Sequence, residues 1–366
     1  MNAAAGLQPR RARAPRERAP ASQRRLALLG TGTVGAAFVD RYQRLQSRGL
    51  ALPRVAWLAN SRSVQTCEDG LASALEQALA APRREVLLQG WAEAEALREG
   101  DIVVDATASD LVANWHPEWL ARGVSVVTAN KLGHGSLLAR SQAITDAQCE
   151  TGARYGDSAT VGAGLPLLGS LRALVAGGDR IHAVEGVLSG SLAWLFARYD
   201  GSRPFSHCVR EAVAAGYTEP DPRIDLSGED VRRKLLILAR AAGLPLEPAQ
   251  VRVESLLHPA LAAASPEQVD GLLDRLDAPL AARLREAGDA GARLRFVGRF
   301  DAQGASVGLR ALPAGHALCA GTGTDNRVAV TSDRYPLQPL VIQGPGAGAE
   351  VTAAALLDDV LRISAD

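Results

Sequence analysis

The sequence predicts an α/β fold, a Rossmann-type parallel-sheet domain followed by a second, α+β domain. Three observations predict it. Strand-like and helix-like segments alternate from Leu26 to Asn130. A GxGxxG run sits between the first strand and the first helix. Near Tyr155 the texture changes to long helical stretches and β-rich runs.

Residues 1 to 25 are rich in Arg, Pro and Ala and end at Arg24-Arg25. They lack the apolar middle of a secretory signal. Arg-rich and acid-poor, the segment weakly resembles a transit peptide, and a disordered basic tail is the reading adopted. Leu26 to Gly30 then forms a short buried strand, and Val34, Phe38, Tyr42 and Leu45 mark one face of the helix that follows. Val55 to Ala59, Asp101 to Thr107 and Ser125 to Asn130 read as further strands. Beyond residue 155, His182 to Leu188 and Leu294 to Phe300 read as β-rich. The final helix carries Ala353, Leu357, Val360 and Leu361 on one side.

Composition excludes several classes of function. The formal net charge is zero, so nothing in the balance points to nucleic acid or an anionic membrane. No apolar stretch approaches the roughly 18 residues of a spanning helix. Cys67, Cys149, Cys208 and Cys319 are scattered without CxxC pairing, which fits a reducing cytoplasm and argues against a metal cluster or disulfide framework. The six histidines show no ligand spacing.

The glycine run carries the first chemistry. Gly30 allows a tight turn, Gly32 lets backbone approach a pyrophosphate, and Gly35 lets helix and strand pack closely. Thr33 and Val34 open the helix, whose unpaired N–H groups and dipole favour phosphate. An NAD site usually ends its second strand with a carboxylate for the ribose hydroxyls. Here the strand ends at Asn60-Ser61-Arg62. Arg62 could pair with a 2′-phosphate, so NADP is favoured over NAD; the plain alternative is a solvated loop arginine.

The basic residues carry the second. Of 40, only Lys131 and Lys234 are lysines. A solvated charge tolerates exchange to arginine, but proton chemistry does not, because arginine stays protonated. Lys131 follows a strand at its C-terminal tip, the edge where open α/β sheets bind ligands. Lys234 lies one turn after Asp230 in a helix expected to open with Ser227 as N-cap. The bland alternative is a capping Asp with an exposed ion pair. Upstream, the proline-stiffened Gly216 to Pro222 loop and Asp225 crowd carboxylates together.

Taken in order, the motifs resemble homoserine dehydrogenase from Leu26 to the C-terminus. They are GTGTVG, VVTANK ending at Lys131, ATVGAGLP from Ala159, EGVLSGSLAWLF from Glu185, GYTEPDP with DLSGEDVRRKLLILAR, and GPGAGAEVTAA. The wording is especially similar to the dehydrogenase half of bifunctional aspartokinase–homoserine dehydrogenases. The resemblance implies a dinucleotide-binding domain over 26–155, completed by 344–366, and a catalytic and dimerisation domain over 156–343. It implies reversible hydride transfer between L-homoserine and L-aspartate 4-semialdehyde, in threonine and methionine biosynthesis, by a cytoplasmic homodimer.

By that resemblance, Lys234 is the acid/base lysine, oriented by Asp230, and Lys131 is a second active-site lysine. Glu219, Asp225, Gly190 and Ser191 line the amino-acid pocket, with Ser189 beside them. Thr107, Ala108 and Ser109 pass near the nicotinamide, and Gly348 and Glu350 return to the cofactor domain as cofactor-binding residues. The family also implies a monovalent cation such as Na+ on the backbone carbonyls of Val161, Ala163 and Leu165, with an acidic ligand two residues before Thr160. Ser158 stands there, with Asp157 next to it. No length is left for a kinase half or an ACT domain, so threonine is expected to act weakly. Two readings compete: another Rossmann dehydrogenase on a small amino or hydroxy acid, and a dinucleotide sensor without catalysis.

Overall fold

The computed structural model describes residues 24–82, 97–320 and 323–365. The basic tail expected over residues 1 to 25 lies, up to residue 23, outside them.

The first sheet holds β1 (Arg25–Leu29), β2 (Arg54–Ala59), β3 (Val64–Thr66), β4 (Ile102–Asp105), β5 (Ser125–Thr128) and β6 (Tyr155–Gly156). Their order is β3-β2-β1-β4-β5-β6, all parallel except the antiparallel β2–β3 edge pair. This is the doubly wound order, whose direction reverses between β1 and β4. Side chains alternate along each strand, so each face takes its own layer of helices. Leu26 and Leu28 pack with Phe38 and Tyr42 of α1 (Thr33–Ser47). Ala27 and Leu29 pack with Trp115 and Trp119 of α3 (Asp110–Ala121) and Ile144 of α4 (Leu138–Thr151). The short helix α2 (Leu71–Ala80) adds Leu71 and Ala78 to the α1 side.

Thr160 leads directly into the second unit. Ala159 still belongs to the first core, whereas Val161 belongs to the second. That core covers one face of a sheet made of β7 (Ile181–Val187), β8 (Val251–Val253), β9 (Ala292–Asp301), β10 (Gly304–Pro313), β11 (Asp325–Ser332) and β12 (Leu340–Pro345). Its order is β12-β11-β7-β9-β10-β8, antiparallel but for the β10–β8 pair. The helices over that face are α5 (Leu167–Ala176), α6 (Gly190–Arg198), α7 (Phe205–Ala214), α8 (Arg223–Leu226), α9 (Glu229–Ala241) and α10 (Asp277–Asp289). Among the described residues the opposite face holds a small cluster, including Val187, Val297 and Ala329 under Leu318.

The chain then returns. Leu356, Leu357 and Val360 of α11 (Ala349–Ala365) join the first core beside Phe38. The return starts after Pro345, later than the Gly344 expected, because β12 continues to Pro345. Among the described residues no helix is long and apolar enough to cross a membrane.

Candidate active site

The glycine turn follows β1 at the point where strand order reverses. Gly30 has φ +97°, and a Cβ there would meet the Ala106 carbonyl oxygen at 2.8 Å. A Cβ on Gly35 would overlap the Gly30 carbonyl oxygen, whereas one on Gly32 would meet nothing within 4 Å. Two glycines are therefore demanded by the protein's own packing, while the middle one faces open space. Gly32 caps α1 without a side-chain hydrogen bond, so the N–H groups of the first turn, at Thr33 and Val34, are left for a ligand. These residues fit a dinucleotide pyrophosphate.

On the β4 side, Thr107 donates its N–H to Asp105 Oδ1 at 2.9 Å, and Thr107 Oγ1 accepts from Ser109 N–H at 3.2 Å. Ala108 at the tip is exposed. Asn130 Nδ2 donates to the Ser109 carbonyl at 2.8 Å, tying the turn after β5 to the turn after β4. Asp105 itself is buried and shares a network that sequence reasoning missed. His116 Nε2 lies 2.9 Å from Asp105 Oδ2, and His116 Nδ1 lies 3.0 Å from the Tyr155 hydroxyl. A lone buried His on a helix carries no sequence signal for this; the acid at the end of β4 was the visible clue.

Arg62 sits in the turn after β2, where no carboxylate is present. Asn60 holds that turn by donating Nδ2 to Thr31 Oγ1 and to the Ala78 carbonyl, both at 2.9 Å. Arg62 Nη1 donates to the Leu79 carbonyl at 3.0 Å, near the C-terminal end of α2.

The two lysines converge on one carboxylate. Lys234 Nζ lies 2.8 Å from Asp230 Oδ2, and Lys131 Nζ lies 3.3 Å from Asp230 Oδ1. The first lysine comes from α9 and the second from the turn after β5, so Asp230 bridges the two domains. Lys234 is buried, and its Nζ also donates to the Leu188 carbonyl at 2.7 Å. Burial alone would raise the Asp230 carboxyl. The Lys234 and Lys131 ammoniums outweigh it and hold the group well below the usual carboxylate range.

The expected capping box is corrected. Gly228 with φ +80° is the N-cap of α9, and its side-chain position is filled by Phe296, 2.9 Å from a built Cβ. Ser227 instead closes α8, donating Oγ to the Ile224 carbonyl while accepting from Glu229 N–H. Asp230 is thereby released from capping and serves the lysines.

The carboxylate loop lies alongside. Ser189 Oγ caps α6 by accepting from Leu192 N–H and lies 2.9 Å from Ser191 Oγ. Ser191 Oγ donates to Asp225 Oδ1 at 2.6 Å, and Glu219 N–H donates to Asp225 Oδ2 at 2.9 Å. Asp225 therefore organises the loop with both oxygens, and Glu219 keeps an exposed carboxylate. Gly190 passes close to Thr324, whose carbonyl oxygen a Cβ would meet at 3.1 Å.

Two expectations are not met. Glu350 Oε2 accepts from Arg44 Nη2 at 2.9 Å on the exposed side of α1. Arg44 lies about 18 Å along the helix from Gly32, so Glu350 is not brought to the glycine turn; the neighbouring Gly348 opens α11. At the expected cation site, Ser158 donates both N–H and Oγ to Asp359 at 2.9 Å. Asp157 is held by Arg172 through two bonds of 2.6 Å. Val161 and Leu165 flank Ala163, whose φ of +50° is strained for a residue with a Cβ. Both nearby carboxylates are already neutralised or hydrogen-bonded, so the residues do not fit a cation that needs an acidic ligand. Among the described residues no group of three His, Cys, Asp or Glu side chains could hold a metal.

His134, next to the Lys131 turn, gives a pH prediction. Burial lowers its imidazole to about 4, against a partial opposing pull from Asp157. The unfolded value is near 6.5, so between pH 6.5 and 4 the unfolded chain binds more protons than the folded one. Stability should therefore decline as pH falls through that window, by about 3 kcal/mol in full. Denaturant midpoints for His134→Asn should show a flatter decline; an unchanged slope would assign the pH dependence elsewhere.

Comparison with known proteins agrees in extent and order. The family model described as homoserine dehydrogenase matches residues 166–361, and that described as homoserine dehydrogenase, NAD binding domain, matches residues 30–156. The chain is 40% identical over 348 residues to bifunctional aspartokinase/homoserine dehydrogenase 2 of Escherichia coli (strain K12), covering 93% of this chain and 43% of that protein. It is 35% identical to homoserine dehydrogenase of Saccharomyces cerevisiae, covering 93% of this chain and 97% of that one. A solved structure of a putative homoserine dehydrogenase from Archaeoglobus fulgidus superposes with a TM-score of 0.77 at 25% identity, covering 93% of this chain and 99% of that one. The chain thus spans less than half the length of the bifunctional relatives it matches.

Proposed function

Because the chain belongs to the homoserine dehydrogenase family, we propose that it interconverts L-homoserine and L-aspartate 4-semialdehyde by reversible hydride transfer, with NADP preferred over NAD. The observation that carries this reading is the Lys131–Asp230–Lys234 cluster at the C-terminal edge of a sheet whose first turn fits a dinucleotide.

A bound nicotinamide would supply the hydride, held by the Gly30 to Gly35 turn with Thr107 and Ala108 facing it across the crevice. The remaining work falls to the chain. An ammonium has three N–H donors, and Lys234 spends two, on Asp230 and the Leu188 carbonyl. The third is left for the substrate oxygen, where it stabilises developing negative charge and then delivers a proton. Asp230, kept ionised, fixes the direction of that donor. In the oxidising direction Lys234 takes the hydroxyl proton and so acts there as the neutral amine, and one carboxylate positions both lysines. The exposed Glu219 carboxylate is the partner for the substrate's α-ammonium.

The substrate pair places the reaction in threonine and methionine biosynthesis. Four free thiols support a cytoplasmic setting, and the thinly covered outer face of the second sheet supports a homodimer, tested by sedimentation. The decisive experiment is NADPH oxidation with aspartate semialdehyde. Turnover is expected; NADPH binding without turnover on any small oxo acid would make the protein a sensor instead. Arg62→Ala should narrow the NADP preference mainly by weakening NADP binding. A clear preference of the parent protein for NAD would overturn the reading of Arg62.

A further inference from the structure

The turn that carries Lys131 is held from the other domain by a residue with no assigned role. Arg240, at the far end of α9 from Asp230, donates Nη1 to the His134 carbonyl at 2.5 Å and Nη2 to the Ser136 carbonyl at 2.8 Å. The same guanidinium is anchored behind by the Leu246 carbonyl, 2.7 Å from Nη2 and 3.3 Å from Nε. Four N–H···O bonds from one planar fork leave it little freedom.

The turn is seated closely as well. Gly135 N–H donates to the Lys131 carbonyl at 2.7 Å. A Cβ on Gly135 would meet the Lys131 carbonyl oxygen at 2.5 Å and the Arg233 carbonyl oxygen of α9 at 2.9 Å. On the opposite side, a Cβ on Gly133 would overlap the Tyr155 hydroxyl, which His116 holds. Glu247 Oε2, just beyond Arg240, accepts from Leu138 N–H at 3.1 Å where α4 begins. Residues 131–138 are thus pressed between α9 and the buried His116–Tyr155 pair.

We propose that Arg240 is a positioning residue that sets Lys131 on Asp230, by bolting the Lys131 turn to the helix that carries Asp230 and Lys234. Neither substrate nor cofactor need touch it. The proposal rests on the assignment of Lys131 to the active site, but its geometry is independent of which reaction occurs there. A displacement of about 1 Å at a reacting group can cost a hundredfold in rate, so a slack turn would be felt in turnover before affinity.

The test uses the fact that the chain has only two lysines. Labelling with an N-hydroxysuccinimide ester, followed by peptide mass spectrometry, reads Lys131 directly, without substrate. In Arg240→Gln, Lys131 should label at least about threefold faster, the scale of freeing a part-exposed ion pair. Its kcat should fall about tenfold to a hundredfold, with NADPH affinity unchanged. Arg240→Lys should recover part of both effects. Gly135→Ala, which pushes the turn off α9 while keeping Arg240, should reproduce faster labelling and slower turnover; it carries the test where Arg240→Gln does not fold. Unchanged Lys131 labelling in any folded Arg240→Gln or Gly135→Ala protein overturns the proposal. Absent turnover in the parent protein would instead sink the functional reading, with the labelling result still standing.

Discussion

Lys234→Arg is expected to lower turnover at least about a hundredfold, the low end of what general acid–base catalysis contributes, while the protein still folds and binds dinucleotide. The substitution keeps the positive charge that Asp230 and the Leu188 carbonyl require. It removes the ability to release a proton, and a planar fork cannot set a single donor where the ammonium stood. Lys131→Arg should also lower turnover, with substrate affinity affected as much, because that residue is more exposed and lies at the cleft. Steady-state rates in both directions, with dinucleotide binding measured separately, provide the check. A folded Lys234→Arg protein working near the parental rate would reduce Lys234 to a structural cation.

The second large effect is expected at the glycine turn, where two neighbouring substitutions should part company. Gly35→Ala drives a Cβ into the Gly30 carbonyl oxygen. It should cost about 1–3 kcal/mol of stability through overpacking and distort the turn, so dinucleotide affinity falls too. Gly32→Ala has nothing within 4 Å to strike. Stability should stay near the parental value, yet the added methyl enters the space kept for phosphate, and affinity should fall about tenfold or more. Thermal unfolding and dinucleotide titration on both variants decide it. Parental affinity in Gly32→Ala would mean that the cofactor does not cross that space.

Much of this architecture was legible because it rests on local rules. The alternation of strand and helix segments from Leu26 to Asn130, with the glycine turn after the first strand, was enough to write a parallel sheet with helices on both faces. The scarcity of lysine singled out Lys131 and Lys234 before any fold was known. What stayed hidden depends on distant chain segments. Ser227 looked like a helix cap because its neighbours fit the pattern; in the structure it still belongs to the end of α8, and the left-handed Gly228, packed against Phe296, is the cap of α9. Glu350 was given to the cofactor by resemblance alone, and its carboxylate pairs with Arg44 on α1. Arg240 was one arginine among 38, and its sequence neighbourhood says nothing of the carbonyls it gathers more than a hundred positions upstream.

The chain passes between the domains twice, once at Thr160–Val161 and once between Pro345 and Ala349, and the crossings lie side by side, with Gly164 packed on Val351. The Arg240 contact supplies a separate point of attachment. Any relative rotation that preserves all three must turn about the line joining the paired crossings to Arg240, like a door hung on two pins. Points near that axis move least, and the turn from Lys131 to Ser136, whose carbonyls Arg240 holds, lies at one of its ends. A turn held in this way would keep the Lys131 ammonium beside Asp230 through such a rotation, so that the three-charge bridge would not have to be reassembled each time the domains moved.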